Sequence, residues 1–378
     1  MNNIFNGYDY SVENAEELIS PQLIYYKDLF EDNLDQIIKM AGDSSKLWPH
    51  VKTHKSLDMV KLQISKGIRR FKCAQLAEVE MVCLAGAEAA VLSMAPTEKV
   101  PERMLMLQKS YPNTQIFGII DCDYHLEMYA DVAQKLNAEF NLLLDVNMGM
   151  DRTGIPTAEA GAFYQKACIA PGIKMWGFHC YDGNRHEVDL SERQKLVDHD
   201  DEAVFELKQQ LQEKGFPVPY IIFGGSPSFP CHLKYQDEGI YYSLGTSFVN
   251  DIGYSRNFPD LTMKPAATVL CHVISHPAPG IFTLDLGYKG IAGDPPMEKR
   301  GTIIGLDHYE AVMQNEEHYV FRMENGFEDL RPAVGTALYV IPFHVCPCAM
   351  LYPSIMIANG GKIVDEWPVT ARDRKINY

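Results

Sequence analysis

The segment HVKTHK, residues 50–55, combines two lysines and two histidines at the end of an apolar run. Most lysines are solvated, so a lysine at the end of a buried strand is unusual. A desolvated lysine amine can attack a carbonyl carbon and form a Schiff base. Lys52 is therefore the first candidate for covalent chemistry in this chain.

Two later segments combine glycine with hydroxyl side chains and carry little side-chain bulk. They contain Gly224, Gly225 and Ser226, and then Gly245 and Thr246. Such loops present backbone N–H groups and hydroxyl donors to a phosphate. A lysine that faces a phosphate site is the arrangement that pyridoxal 5'-phosphate (PLP) requires. We therefore expect PLP to be bound at Lys52.

Three further polar residues follow predicted strands, and we include them in the candidate site. Arg152 could donate to the phenolic oxygen of the PLP ring. His186 is the candidate general base, because it lies in a loop expected near the ring. Gln75 follows the second predicted strand and is assigned to cofactor binding.

A histidine and a cysteine stand two residues apart in HVC, at His344 and Cys346. On a strand, residues with this spacing point to the same face. Imidazole and thiolate donors suit a divalent ion, and two protein ligands leave positions open for water and substrate. The thiolate favours zinc, with manganese or magnesium as alternatives. Cys348 follows Pro347 and is left out of this site.

The elements that position these residues alternate regularly along the first two thirds of the chain. Helical periodicity predicts helices over 30–41, 57–66, 76–86, 98–109, 124–136, 158–169 and 190–214, with an irregular stretch near 230–238. Between them lie eight strand-like runs, at 47–54, 71–75, 89–94, 115–120, 141–146, 174–181, 220–225 and 241–246. About eight successive βα units predict a parallel (β/α)8 TIM-type barrel, whose active end is formed by the carboxyl ends of its strands.

After about residue 250 the runs become strand-like, with turn residues every eight to twelve positions. No convincing helix is predicted there, so we expect a β-domain. The predicted domains are a barrel over 22–250 and a β-domain formed by 1–21 and 251–378.

Bulk composition limits the classes of function. The chain has 378 residues, of which 46% are hydrophobic, and a formal net charge of -16. No basic run could follow a nucleic-acid backbone, and no apolar stretch is long enough to span a membrane. The N-terminus lacks the features of a signal peptide, and most of the nine cysteines stand singly in apolar runs. We expect a cytoplasmic protein with free thiols.

Several motifs together resemble the family of D-threonine aldolase and D-serine dehydratase, which shares its barrel with alanine racemase. They are WPHVKTHK, MGMDRTG, YDGNRH, GGSPSFP, GTSFVND, LDLGYKGIAGDPP and PFHVCP, in the family's order, spanning residues 22 to about 370. The resemblance implies fold type III, with a PLP barrel and a C-terminal β-domain, and a homodimer.

By position, the resemblance implies a role for each candidate residue. Lys52 matches the Schiff-base lysine, Arg152 the contact to the ring hydroxyl, and Tyr181 the aromatic beside the ring nitrogen. The cradle for the phosphate is matched by Gly224, Gly225, Ser226, Gly245 and Thr246. His344 and Cys346 match the metal ligands. Trp48 stands where the family motif often has arginine, which we expect to alter substrate access.

The resemblance implies a PLP- and metal-dependent lyase that acts on D-3-hydroxy amino acids. We favour the retro-aldol reaction of D-threonine aldolase, which gives glycine and an aldehyde. The alternatives are a D-serine dehydratase, giving pyruvate and ammonia, and a related D-3-hydroxyaspartate lyase. Cys346 favours the dehydratases, because the aldolases often carry aspartate there. A non-catalytic PLP-holding protein is a third reading, but such proteins lack the β-domain.

Overall fold

The computed structural model of the protein describes residues 2–377, so both ends of the predicted β-domain, at 1 and 378, lie outside it. The chain forms two compact units. One contains the chain up to Gln36 together with Thr246–Arg372, and the other contains Ile37–Gly245 together with the chain from Asp373 onward. The exact domain boundaries proposed from the sequence stay a prediction.

The secondary structure alternates in the second of these units and is mostly strand in the first. The strands are β1 (Ile4–Phe5), β2 (Tyr8–Asp9), β3 (Gln22–Tyr26), β4 (Arg70–Cys73), β5 (Ala89–Leu92), β6 (Gln115–Ile120), β7 (Phe140–Asn147), β8 (Ile173–Tyr181), β9 (Tyr220–Gly224), β10 (Ile240–Tyr242), β11 (Ala267–Ser275), β12 (Ile281–Leu284), β13 (Gly301–Ile303), β14 (Tyr309–Gln314), β15 (Tyr319–Met323), β16 (Ala337–Pro342), β17 (Ser354–Asn359) and β18 (Lys362–Pro368). The α-helices are α1 (Lys27–Ala41), α2 (Leu57–Ser65), α3 (Leu76–Leu84), α4 (Val100–Ser110), α5 (Asp123–Leu136), α6 (Thr157–Cys168), α7 (Leu190–Glu213), α8 (Phe229–His232), α9 (Thr246–Val249), α10 (Ile252–Asn257) and α11 (Val345–Leu351).

Strands β4 to β10 form one parallel sheet in sequential order, which confirms the predicted alanine racemase-like barrel fold. The segment from Leu47 to His50 bridges the two outer strands of this sheet. Trp48 N–H donates to the Tyr242 carbonyl at 2.8 Å, and the Pro49 carbonyl accepts from Lys72 N–H at 2.9 Å. The sheet therefore closes through this segment.

The predicted first strand over 47–54 is wrong in its extent. Only isolated bridges form at Leu47 and His50, and a 3-10 turn follows at Val51–Thr53. Pro49 has no N–H to donate, so it cannot continue a regular ladder. The turn removes these residues from the sheet and places Lys52 at the end of the barrel sheet.

The interior of the barrel sheet is filled by apolar side chains, including Val91, Phe117, Leu143 and Ile222. Trp48 belongs to this cluster, is fully buried, and has its ring centre 5.7 Å from that of Phe117. The expectation that Trp48 alters substrate access is therefore wrong. Its volume fills the core instead, where large aromatic side chains contribute most to burial.

The other unit contains a nine-stranded sheet, in which β3 lies between β11 and β17. The expectation that no helix follows residue 250 is wrong, because α10 and α11 lie there. Helix α11 is only seven residues long, too short for a clear helical period. Pro347 lies in its first turn, where the missing N–H costs no hydrogen bond. Across residues 2–377, none of the helices has the length and apolarity needed to cross a bilayer.

Candidate active site

Lys52 lies in the 3-10 turn that follows the bridging segment, and its N–H donates to His50 Nδ1 at 3.3 Å. Its side chain lines a cavity of about 330 Å³ at the carboxyl ends of the barrel strands. Arg152 and Tyr181 line the same cavity. This volume lies at the lower end of the usual range for small-molecule sites. The structure thus brings three of the predicted cofactor residues together.

The neighbouring Lys55 is held elsewhere. Its amine forms a buried ion pair with Glu78, a residue of α3. The second carboxylate oxygen of Glu78 accepts from Ala74 N–H at 2.6 Å. Because this amine already has a buried partner, Lys52 is the lysine of HVKTHK that is available at the cavity.

Tyr181 is contacted by two cationic side chains. The guanidinium carbon of Arg152 and the amine nitrogen of Lys72 each lie 5.0 Å from the centre of its ring. Cations at this distance from an aromatic ring are attracted by its π electrons. The ring is thereby fixed at the wall of the cavity.

The two glycine loops meet at the barrel end, because Gly245 N–H donates to Ser226 Oγ at 3.3 Å. A Cβ on Gly225 would lie 2.7 Å from Ser228 Oγ, and one on Gly245 would lie 3.0 Å from the Cβ of His50. Side chains are therefore excluded at both glycines. Because His50 lines the cavity, the Gly245 loop lies beside it. Small residues with accessible backbone suit a phosphate cradle.

Two further predicted cofactor residues have different surroundings. Gln75 caps the N-terminus of α3, next to Ala74 of the cavity wall, and its buried Oε1 has no hydrogen-bond partner among the described residues. Such an orphaned atom is expected where a ligand or water binds. Thr246 begins α9 in the other unit, where its Oγ1 lies 3.6 Å from Cys346 Sγ.

His186 is exposed in the loop after β8 and does not line the cavity. Its assignment as general base stays a prediction. A different histidine, His179 of β8, does line the cavity and is buried. Its Nδ1 lies 2.6 Å from Asp145 Oδ1, the residue opposite it in the β7–β8 ladder. Burial and the charge of Lys72 lower the pKa of His179, against the opposing effect of Asp145.

The sequence analysis missed Lys72, Asp145 and His179, all three of which line the cavity. Each lies inside a predicted strand that is otherwise apolar, in FKCAQ, NLLLDV and KMWGFHCY. A charged residue inside a buried strand is rare unless it is paired or functional. That signal was present in the sequence and could have identified them.

The predicted metal pair is not on a strand, and this part of the prediction is wrong. His344 caps the N-terminus of α11, and Cys346 lies in the first turn of that helix. Burial lowers the pKa of His344, but its contacts with Cys346 and Asp294 outweigh burial and raise it to about 9. The two side chains still approach each other, so the donor set suits a divalent cation.

Cys348 has a structural role, because its thiol makes two hydrogen bonds. Its thiol accepts from Ala292 N–H at 3.2 Å and donates to the His344 carbonyl at 3.4 Å. Burial is the main cause that raises the pKa of this thiol, which opposes thiolate formation. Cys348 therefore fixes the segment that carries the predicted metal ligands.

Characterised proteins match this chain over nearly its whole length. A D-threonine aldolase from Arthrobacter sp. is 27% identical over 93% of this chain and 92% of its own length. A 3-hydroxy-D-aspartate aldolase from Paracoccus denitrificans is 25% identical over 98% of both chains. Both relatives are aldolases by name.

Solved structures share the fold. A D-threonine aldolase from Filomicrobium marinum superposes with a TM-score of 0.87, at 22% identity, over 97% of this chain and 99% of its own. A metal-free cysteine-to-alanine mutant of D-threo-3-hydroxyaspartate dehydratase superposes with a TM-score of 0.81, at 19% identity, over 94% and 98% of the two chains.

Two protein families match different parts of the chain. Residues 266–358 match the putative serine dehydratase domain. Residues 27–240 match the N-terminal domain of alanine racemase, and this match covers more than half of the chain. The chain therefore belongs to the family of the alanine racemase N-terminal domain, joined to a serine dehydratase-like domain.

Proposed function

We propose that this protein is a PLP- and divalent-metal-dependent lyase that cleaves D-3-hydroxy amino acids to glycine and an aldehyde, as a D-threonine aldolase does. The observation that carries the proposal is the shared cavity of Lys52, Arg152 and Tyr181 at the carboxyl ends of the barrel strands. The D-threonine aldolase that is 27% identical over 93% of the chain also supports the proposal.

The residues present fit PLP. Lys52 would hold the cofactor aldehyde covalently, and the loops of Gly224, Gly225, Ser226 and Gly245, with Thr246, would receive its phosphate. Arg152 would donate to the ring hydroxyl, with Tyr181 and Gln75 beside the ring. PLP supplies an electron sink for the bond that breaks. The protein supplies orientation and exclusion of water.

His344 and Cys346 would hold the divalent ion, for which the thiol favours zinc over manganese or magnesium. The ion would supply Lewis-acid chemistry at a substrate oxygen. Asp294 accepts a hydrogen bond from the His344 imidazole and would orient the ring. A homodimer and a cytoplasmic location remain part of the proposal, and sedimentation of the purified protein tests the first.

A dehydratase is the second candidate, acting on D-serine or a D-3-hydroxyaspartate. The observation that favours it is the thiol of Cys346 at the predicted metal site, together with the structural likeness to the D-threo-3-hydroxyaspartate dehydratase. A non-catalytic PLP-holding protein is not favoured, because this chain has a β-rich unit in addition to the barrel unit.

One assay separates these functions. The purified protein with PLP and zinc or manganese is given D-threonine, D-serine, D-threo-3-hydroxyaspartate or L-threonine, and the products are identified. We expect glycine and an aldehyde from D-threonine, no turnover of L-threonine, and loss of turnover on chelation. A 2-oxo acid as the main product would establish the dehydratase, and equal turnover of L-threonine would contradict both.

The position of the cofactor is tested separately. Borohydride reduction followed by peptide mapping should place the PLP label on Lys52. Lys55 is the matched control within the same peptide, because its amine is paired with Glu78. A label on Lys55 would contradict the proposal.

A further inference from the structure

A group of three side chains with metal-binding atoms lies at the start of α5. Asp121 follows the end of β6, Cys122 caps the N-terminus of α5, and His125 lies in the first turn of that helix. One ligand atom from each residue lies within 4.8 Å of the other two, and across residues 2–377 this is the only such group of three. None of the three lines the cavity of Lys52, so the group is separate from the candidate active site.

The imidazole of His125 lies close to Asp121 without a hydrogen bond between them. Nδ1 is 2.8 Å from Asp121 Oδ1, yet this buried nitrogen has no hydrogen-bond partner among the described residues. The two atoms are therefore close but not aligned along an N–H bond. Only 15% of the histidine side chain and 16% of the aspartate side chain are exposed. Buried polar atoms without a hydrogen bond are rare, and a bound ion is one of their explanations.

The carboxylate of Asp121 is oriented by the backbone of the barrel unit. Gly154 N–H donates to Asp121 Oδ2 at 3.0 Å, and Oδ1 is the oxygen close to His125. Gly154 has a φ of 99°, and a Cβ there would lie 2.6 Å from the nitrogen of Asn147, so the close approach requires glycine. The next residue, Ile155, accepts from Asn147 N–H at 3.0 Å, which fixes this segment to the end of β7. A hydrogen bond of this kind holds a ligating carboxylate in place.

The group borders an open cavity of about 820 Å³ that carries more acidic than basic residues. Asp121 and Cys122 line this cavity, together with Asp123, Glu159 and Lys166. The ammonium of Lys166 is paired with Asp123, at 2.9 Å from its Oδ1. Asp121 and Glu159 therefore leave a net negative charge, which favours a cation. The opening also leaves room for a water ligand.

We propose that Asp121, Cys122 and His125 bind a zinc ion, with water in the fourth position. Carboxylate oxygen, thiolate sulfur and imidazole nitrogen are all zinc ligands, and tetrahedral ligands at about 2.0–2.3 Å from the ion lie about 3.5 Å apart. The three atoms are already within 4.8 Å of one another, so side-chain rotation is sufficient to reach this geometry. Zinc replaces the proton of the Cys122 thiol, which is released to solvent. The thiolate and imidazole disfavour magnesium and calcium.

The first test uses the wild-type chain and follows each cysteine separately. Labelling by iodoacetamide is measured by mass spectrometry of peptides, with and without zinc. At about ten times the Kd, mass action leaves about a tenth of the sites free, so labelling of Cys122 should fall about tenfold. Cys168 is the internal control, because it is also partly buried and does not belong to the group. Equal labelling of Cys122 with and without zinc would contradict the proposal.

The second test measures zinc affinity in the Cys346→Ser chain, which lacks the thiol of the other predicted metal pair. Competition with a chromophoric chelator gives the affinity. A further change of His125→Gln or Asp121→Asn alters one ligand and should weaken zinc binding by about tenfold or more. Asp123→Asn is the matched control, because this neighbouring carboxylate is paired with Lys166 and lies outside the group. Equal affinity in the His125→Gln and Asp123→Asn chains would overturn the site.

This inference does not rest on the proposed function, and the two can fail separately. If zinc protects Cys122 and D-threonine is not cleaved, the zinc site stands and the proposed function fails. If D-threonine is cleaved and zinc leaves the labelling of Cys122 unchanged, the proposed function stands and the zinc site fails.

Discussion

At the predicted metal pair, one nitrogen of the His344 imidazole already has a partner. Asp294 Oδ2 lies 2.5 Å from Nδ1, which leaves Nε2 for an ion. A carboxylate on the far nitrogen of a ligating histidine fixes the ring and raises its basicity as a ligand. His344, at a helix N-terminus beside the Cys346 thiol, thus has the carboxylate partner that a ligating histidine would need.

Asp294→Asn should therefore weaken zinc binding by about 10- to 100-fold and leave the fold intact. Competition with a chromophoric chelator measures the affinity. Glu324→Gln is the matched control, because Glu324 contacts His308 at 3.1 Å in an exposed pair of the same kind. Equal zinc affinity in both variants would show that Asp294 does not support a zinc ligand.

Prediction of single residues from the sequence succeeded for three residues at or beyond the ends of strands and missed the residues inside them. Lys52, Arg152 and Tyr181 were predicted for the site and do line its cavity. Lys72 and His179 were not predicted, because each is a single charged or polar residue inside a run that is otherwise apolar. In a barrel strand, alternate side chains face the interior, so these positions could have been assigned by parity.

At the scale of elements, the turn that carries Lys52 depends on helix α3. Lys55 has a left-handed backbone with φ of 50°, and its buried amine is paired with Glu78. Glu78 also accepts from Ala74 N–H, next to the cavity. One buried carboxylate therefore joins the lysine turn to the end of β4.

Glu78→Gln should lower the free energy of unfolding by about 3–5 kcal/mol, because it leaves the Lys55 charge buried without a counter-charge. PLP affinity should fall as well, since the turn loses its anchor. Urea unfolding measures the first effect, and a spectroscopic titration with PLP measures the second. The double variant Lys55→Met with Glu78→Leu should recover stability. If it is no more stable than Glu78→Gln, the ion pair is not the cause.

Most elements could be predicted, and the exceptions have local causes. Seven of the strand runs and the helices between them are present, with ends displaced by a few residues. The first strand is cut short after Pro49, and α11 is too short to show a helical period. Both exceptions lie at the predicted chemistry, so the elements least visible in the sequence are those that hold Lys52 and Cys346.

At the scale of the whole molecule, the alternation of strands and helices was sufficient to predict the barrel, and the change of pattern near residue 250 indicated a second unit. The pairing of β3 into the nine-stranded sheet of the β-rich unit was harder to predict. Its partners lie more than 200 residues away, and periodicity within a run carries no information about such distant pairing.

The stability of the whole protein should depend on a buried acid behind the loop of Gly225. Asp182 is 2% exposed, its Oδ1 accepts from Ser228 Oγ at 2.7 Å, and its Oδ2 lies 3.6 Å from the nitrogen of His232. Burial raises the pKa of Asp182 to about 6 from an ordinary value of 3.8, despite the opposing effects of His232 and Ser228. Ionisation of this carboxyl is therefore disfavoured in the folded protein.

Because the folded pKa lies above the unfolded one, this contribution to stability is complete below about pH 4 and is lost as the pH rises through 6. The difference of about two units corresponds to about 3 kcal/mol. Asp182→Asn keeps the acceptor for Ser228 and removes the ionisation. We therefore expect its free energy of unfolding, relative to the wild type, to increase by up to that amount between pH 4 and 7, as measured by urea unfolding.

Asp198, on helix α7, is the control of opposite sign. Its slight burial raises its pKa, but hydrogen bonds with Lys234 and Gln194 outweigh this and lower it. Its contribution to stability is therefore present at neutral pH and lost as the pH falls through its folded pKa. Asp198→Asn should be mildly destabilising at pH 7 and less so in acid, the reverse of the trend for Asp182→Asn. Parallel trends in the two variants would mean that burial of Asp182 does not set the pH dependence.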